Sequence, residues 1–311
     1  YKQSHYAYRI IGFIGIFTVL MTFLFVPKME NSKVDRKSLD FIGMLYFIFI
    51  MTLFVFIIND PVSFGFFSIP HLIMIVIFMI LIFLFYKFEK KQTKPILNFQ
   101  NYKNPSYFWG SISRMTGFVG FSVLMFLNPI FLQKIIGLSE TSVGTILLYS
   151  GTGTVIASSI SGRLSDKFGH KIFTVTGMLF SGLANLLLSF LAFNFDLTIF
   201  TILMFINGFG IGMWMAPNMS AVLSSVNKDQ YGSVSAYLNL IRNVGTTIGQ
   251  SFAATILVVF LTTGAITAQL SEINSDSSEE ILSLFINGWR TTLIISSIIV
   301  FISSFASFKT K

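Results

Sequence analysis

Long apolar runs separated by short polar segments set the rhythm of this chain. Nine such runs fall at roughly 9–26, 41–58, 70–87, 107–131, 141–161, 172–193, 197–225, 232–262 and 289–308. Each approaches or exceeds the 20 or so mostly apolar residues that carry a helix across the hydrocarbon core of a bilayer. The runs are solid rather than alternating. A stretch such as LIMIVIFMILIFLF has no polar position at every second residue, which excludes the strands of a membrane barrel. Backbone polar groups in lipid must then be satisfied within each segment, so the runs are helices. The segments between them are rich in Lys, Asn, Asp, Gly and Pro, the residues of turns and loops. The pattern predicts an all-α integral membrane protein, a bundle of nine transmembrane helices.

Composition agrees and narrows the function. The 311 residues are 53% hydrophobic and 11% charged, with a mean hydropathy of +0.75. Soluble domains carry about 25% charged residues, so this chain cannot cover a water-facing surface. The apolar excess also excludes disorder. There is no cysteine, hence no disulfide, thiolate nucleophile or Cys-based metal site.

The net charge of +8 is explained by where the charges lie. One alternate set of gaps, 27–40, 87–106, 162–171, 226–231 and 309–311, holds fifteen Lys and Arg; the other set holds four. This asymmetry places the C-terminus in the cytoplasm and the start of the chain outside. The basic balance is topological, and no nucleic-acid partner is expected. The expected location is a bacterial inner or plasma membrane, crossed many times, with the lipid bilayer as the main partner. An odd number of spans, a first residue Tyr1 and no signal sequence lead to the expectation of a C-terminal portion, whose missing partners are N-terminal helices of the same protein.

Ionisable groups inside a membrane are costly and mark function. All thirteen Asp and Glu lie in loops or at span ends, and His5, His71 and His170 are peripheral. Clustered acids or histidines for catalysis or metal binding are absent, so neither an enzyme nor a metal site is expected. Arg114 and Arg242 are the two cations within spans. Arg114 either snorkels to the headgroups or faces a polar path. Arg242 shares an arc of the eighth run with Ser235, Asn239, Asn243, Thr246 and Gln250, flanked by Gly245 and Gly249. A polar stripe beside a small-residue edge suits a helix that lines a cavity and packs closely along one side. In the seventh run Asn207, Ile211, Trp214 and Asn218 share a face, Gly208 and Gly212 form a small-residue contact, and Pro217 should kink the helix. Tyr149 of the fifth run is a further candidate. The expected cavity wall is therefore Asn207, Trp214, Asn218, Asn239, Arg242, Asn243 and Gln250. An Arg242 without a local carboxylate suits anionic or neutral cargo.

The segment SGRLSDKFGHK, residues 161–171, carries the most specific motif. Gly162 permits a tight helix exit, Asp166 is placed to accept hydrogen bonds at a positive helix end, and Gly169 allows reversal into the next helix. Arg163, Lys167 and Lys171 surround it. This G-x-L-x-D-x-x-G between two membrane helices resembles the cytoplasmic loop motif of the major facilitator superfamily. The flanking KPILNFQNYKNPSYFWG, FLNPIFLQKIIGLSETSVGTILL and APNMSAVLSSVNKDQYGSVSAYLNLIRNVGTTIGQSFAATI resemble fourteen-helix drug:proton antiporters of the EmrB/QacA type. The resemblance aligns the nine runs with helices six to fourteen of that family. It implies the last helix of an N-terminal bundle at 1–26, a two-helix central insertion at 27–106 and a six-helix C-terminal bundle at 107–311. It also implies multidrug export of small amphipathic organic compounds by alternating access, driven by a proton gradient, with no cofactor. Gly162, Arg163, Asp166, Gly169 and Lys171 would form the gating loop. The coupling carboxylate of that family lies in a helix preceding Tyr1. Same-fold export of a lipid, siderophore or metabolite is the alternative; a membrane biosynthetic enzyme lacks its acids and histidines.

Overall fold

The computed structural model describes residues 2–25, 41–59, 68–92, 98–191, 195–262, 273–274 and 277–310. These residues form nine α-helices and no strand: α1 (Lys2–Phe25), α2 (Phe41–Asn59), α3 (Ile69–Glu89), α4 (Pro105–Lys134), α5 (Glu140–Phe168), α6 (His170–Phe190), α7 (Leu197–Leu223), α8 (Tyr231–Thr262) and α9 (Glu279–Lys309). Each coincides with one apolar run. Seven of them, α3 to α9, are long and apolar enough to cross a membrane; α1 and α2 carry shorter apolar stretches, Gly15–Phe25 and Leu45–Ile58.

The chain divides into two compact units, Tyr1–Asp40 and Phe41–Lys311. In the first, the described part of α1 exposes Phe13, Val19 and Phe25 around its circumference, as a lipid-facing helix does. In the second, α2 and α3 pair through stacked rings, Tyr46 on Phe88 and Phe54 on Phe78.

Local chemistry sets the helix starts. Ser68 caps α3 by accepting from the His71 amide at 3.3 Å, with Pro70 in the first turn. Asn104 caps α4 by accepting from the Ser106 amide at 2.9 Å, with Pro105 at the first position, where its missing N–H is harmless. Asp196 caps α7 through the Ile199 amide at 2.9 Å.

The six helices α4–α9 share one core. α5 packs on α7, α7 on α6, α6 on α9, and α4 on α8, α9 and α7. Backbones approach at glycines. A Cβ on Gly245 of α8 would fall 2.6 Å from the Met115 carbonyl oxygen of α4, and one on Gly249 would fall 3.0 Å from the Val119 carbonyl carbon. Gly208 and Gly212 of α7 make the same close approach to Ser150 and Thr154 of α5. At one end, Phe131 stacks on Trp289 at 4.2 Å between α4 and α9.

One expectation about the 161–171 segment is corrected. Gly162 is no helix exit, because α5 continues through it to Phe168. The polar residues there remain helical since Ala157, Ser161 and Ser165 keep the buried α5 stripe in register. The reversal falls at Gly169 alone, whose φ of +87° is one that a side chain disfavours. α9 also begins ten residues earlier than its apolar run, at Glu279, where Glu279 and Glu280 favour a helix N-terminus.

Candidate functional site

The polar face of α8 is open. Asn239, Arg242, Asn243 and Gln250 are exposed, with Thr246 half-buried between them. Val234, Leu238, Ile241, Gly245, Gly249, Ala253 and Leu257 form the adjoining, buried stripe. The two stripes follow from one helical period. The small residues let α8 lie against α4, and that seating turns the amides and Arg242 away from the core. Met115 of α4 is exposed beside this face, its carbonyl against Gly245.

Arg114 takes up neither of its expected positions at a surface. It is 3% exposed, wedged between α4 and α8. Its Nε donates to the Leu238 carbonyl at 3.0 Å, and its guanidinium lies 5.4 Å from the Phe118 ring centroid. Its Nη1 is buried without a hydrogen-bond partner among the described residues.

Asn207, Trp214 and Asn218 are not on the α8 face. All three are buried and bonded to neighbouring helices. Asn207 Nδ2 donates to Ser181 Oγ at 2.9 Å and to Asn185 Oδ1 at 2.7 Å. Asn185 in turn donates to Ser296 Oγ at 3.2 Å, so one network joins α6, α7 and α9. Trp214 Nε1 donates to Ser113 Oγ at 2.9 Å, and Asn218 Nδ2 to the Gly110 carbonyl at 3.1 Å. Their 207–211–214–218 spacing is a true helical face, and it faces protein. Asn207→Leu is therefore expected to remove about 1–3 kcal/mol of buried hydrogen bonding. A thermal-shift measurement should show the loss, with cargo preference unchanged in the surviving protein. A stable Asn207→Leu with altered preference would contradict the packing role.

Tyr149 is 49% exposed on α5, apart from the α8 stripe. Arg163 and Asp166 are exposed on the last turns of α5. Asp166 makes no hydrogen bond among the described residues, and the first turn of α6 has no side-chain cap, so Asp166 does not cap α6. Lys171 Nζ sits 4.2 Å from the Phe308 ring centroid, tying the start of α6 to α9.

At the same end, the 3₁₀ turn Phe99–Lys103 is tied to α8 and to the segment before it. Asn101 Nδ2 donates to Gln230 Oε1 at 3.0 Å, and the Tyr102 and Tyr237 hydroxyls are hydrogen-bonded. Burial, followed by Tyr237, pushes the Tyr102 phenol well above its ordinary range, so this link is neutral at physiological pH.

Sequence reasoning missed the polar partners in α4, α6 and α9: Ser113, Ser181, Asn185, Ser296 and Ser303. The signal was present, since Ser181, Asn185 and Ser189 are spaced by four, as one buried helical face requires. Among the described residues no group of His, Asp or Glu could hold a metal.

Comparison with known proteins gives this geometry a family. The Major Facilitator Superfamily model matches residues 3–250 and 110–310. The chain is 25% identical to the riboflavin transporter RibZ of Clostridioides difficile over 80% of its length and 53% of the relative's. It is 25% identical to the lincomycin resistance protein LmrB of Listeria monocytogenes, covering 79% of the chain and 53% of the relative. It is 30% identical to the multidrug transporter MdtP of Bacillus subtilis over 52% of the chain and 30% of the relative. The chain thus spans about half the length of the first two of these curated relatives. A solved bacterial homolog of the human lysosomal transporter Spinster, inward-facing and unoccupied, shares the fold at a TM-score of 0.52 and 14% identity, over 86% of this chain and 65% of that one. The helical bundle, its glycine seams and these matches converge: this integral membrane protein belongs to the major facilitator superfamily of transporters.

Proposed function

We propose that the chain forms part of a proton-coupled exporter of small amphipathic organic compounds, working by alternating access between two helical bundles. The carrying observation is the exposed Asn239–Arg242–Asn243–Gln250 face of α8, in a six-helix unit whose Asn207, Trp214 and Asn218 are buried. A polar helical face at membrane depth needs water, cargo or another bundle against it. Relatives named for multidrug and lincomycin resistance support an export role and a broad cargo. The relative named as a riboflavin transporter supports a second reading, movement of a single metabolite.

Expression of the full-length gene product in cells stripped of efflux pumps tests both. The exporter reading expects reduced accumulation of several unrelated amphipathic dyes, restored by a protonophore. Reduction of one metabolite only would favour the second reading; no change for any compound would remove both.

In this reading the segment around Asp166 works at the cytoplasmic gate. Asp166 stands on the last turn of α5, where the helix dipole disfavours a negative charge. A residue held against its local preference, exposed and without a partner among the described residues, is available to a partner in the opposing bundle. Asp166→Asn is expected to lower efflux at equal membrane expression. Unaltered efflux would reduce the segment to a helix end.

A further inference from the structure

Arg114 and Arg242 reach the same level of the bundle from different helices. Arg114 is nine residues beyond the start of α4 at Pro105, and Arg242 is eleven beyond the start of α8 at Tyr231. At 1.5 Å per residue these are roughly 14 Å and 17 Å from the same end, about a third of the way along each helix. Arg114 holds the Leu238 carbonyl, one turn before Arg242. Two like charges at this depth repel, and neither has a carboxylate partner among the described residues. Arg114 is 97% removed from solvent, as its 3% exposure shows, and it keeps a buried Nη1 without a partner. Arg242 is exposed, with Asn239 and Asn243 as further donors on the same face. A pair of guanidinium groups with spare N–H donors is the chemistry that binds carboxylate, sulfonate or phosphate, often through two parallel bonds.

Building on the exporter reading, we propose that Arg114 and Arg242 form an anion-binding subsite on the α4–α8 wall, which makes the preferred cargo amphipathic anions rather than the cations that an acidic cavity would select. Arg242 contacts the anion directly. Arg114, anchored on Leu238, supplies fixed positive charge behind it.

A matched pair of fluorescent probes tests this: one aromatic scaffold bearing a free carboxylate, and its neutral methyl ester. Binding is measured on the purified full-length gene product in detergent free of anionic lipid, and efflux in cells. The wild type should bind the acid roughly tenfold more tightly than the ester, the loss of one charge-assisted contact being worth about that factor. Arg242→Gln should weaken the acid roughly tenfold and leave the ester unchanged. Arg114→Lys, which keeps the charge and loses the fork, should have an intermediate effect. A purely structural role would weaken both probes together and overturn the assignment. Equal binding of acid and ester by the wild type would overturn it too, while efflux of either probe would leave the exporter reading standing. An anionic lipid headgroup could supply the same chemistry. If the probes show no preference, but phosphatidylglycerol raises the melting temperature of the wild type and not of Arg242→Gln, the subsite is a lipid site and the cargo assignment falls.

Discussion

Gly208→Val is expected to abolish folded protein in the membrane. A Cβ at this position of α7 would lie 2.7 Å from the Ser150 carbonyl carbon and 2.8 Å from its Cα. These are backbone atoms of α5, so no rotamer change relieves the clash and the two helices must part. The same seam holds Gly212 against Thr154 and Gly153 against Phe205, so separation at one point loosens several contacts at once. Overpacking of a core costs about 1–3 kcal/mol where side chains can yield; here the cost should exceed that range. Gly151→Val is the control. It lies on α5 with nothing within 4 Å of its added Cβ, and should express normally. Monodisperse protein on fluorescence-detected gel filtration reads the difference. Folded Gly208→Val at wild-type levels would show that the α5–α7 seam is not close-packed.

The second large effect belongs to Trp214. Its ring is fully buried and sits edge-on to Phe118 at 5.3 Å, with the Nε1–H bonded to Ser113. Ser113 also bonds Ser303 at 3.0 Å and Ser307 at 2.7 Å, so α4, α7 and α9 meet at this indole. Trp214→Ala should cost about 3–5 kcal/mol. Trp214→Phe, which keeps most of the volume and loses one donor, should cost about 1 kcal/mol. Melting temperature of the purified protein ranks the two. If Trp214→Ala kept its melting temperature and changed cargo preference, the indole would be facing a cavity instead.

These two residues show what the sequence made legible. Helix existence was readable because lipid allows little else, and all nine apolar runs are helices. The α8 stripe was readable because its polar residues share one arc of the helical period and its small residues run along the flank of that arc. The α7 face was readable only as a face. Period says that Asn207, Trp214 and Asn218 point together, and says nothing about what stands opposite. Ser113, Ser181 and Asn185 stand there, contributed by helices up to 101 residues away in sequence. Arg114 was ambiguous for a related reason, since its acceptor is a backbone carbonyl 124 residues on, which no side-chain pattern reveals. The helical extension of α5 through Gly162 and Asp166 was hidden because its exposed face reads like a loop.

The central claim, that the polar face of α8 lines the path of the transported molecule, is open to one direct measurement. The chain has no cysteine, so single cysteines placed along α8 of the full-length gene product add no reactive background from this region. Positions 239, 243, 246 and 250 should react with a membrane-impermeant thiol reagent, and bound cargo should slow that reaction. Positions 238, 241 and 253, on the buried stripe, should not react. Uniform labelling on both stripes, or none at 239, 243 and 250, would contradict an aqueous path along this helix.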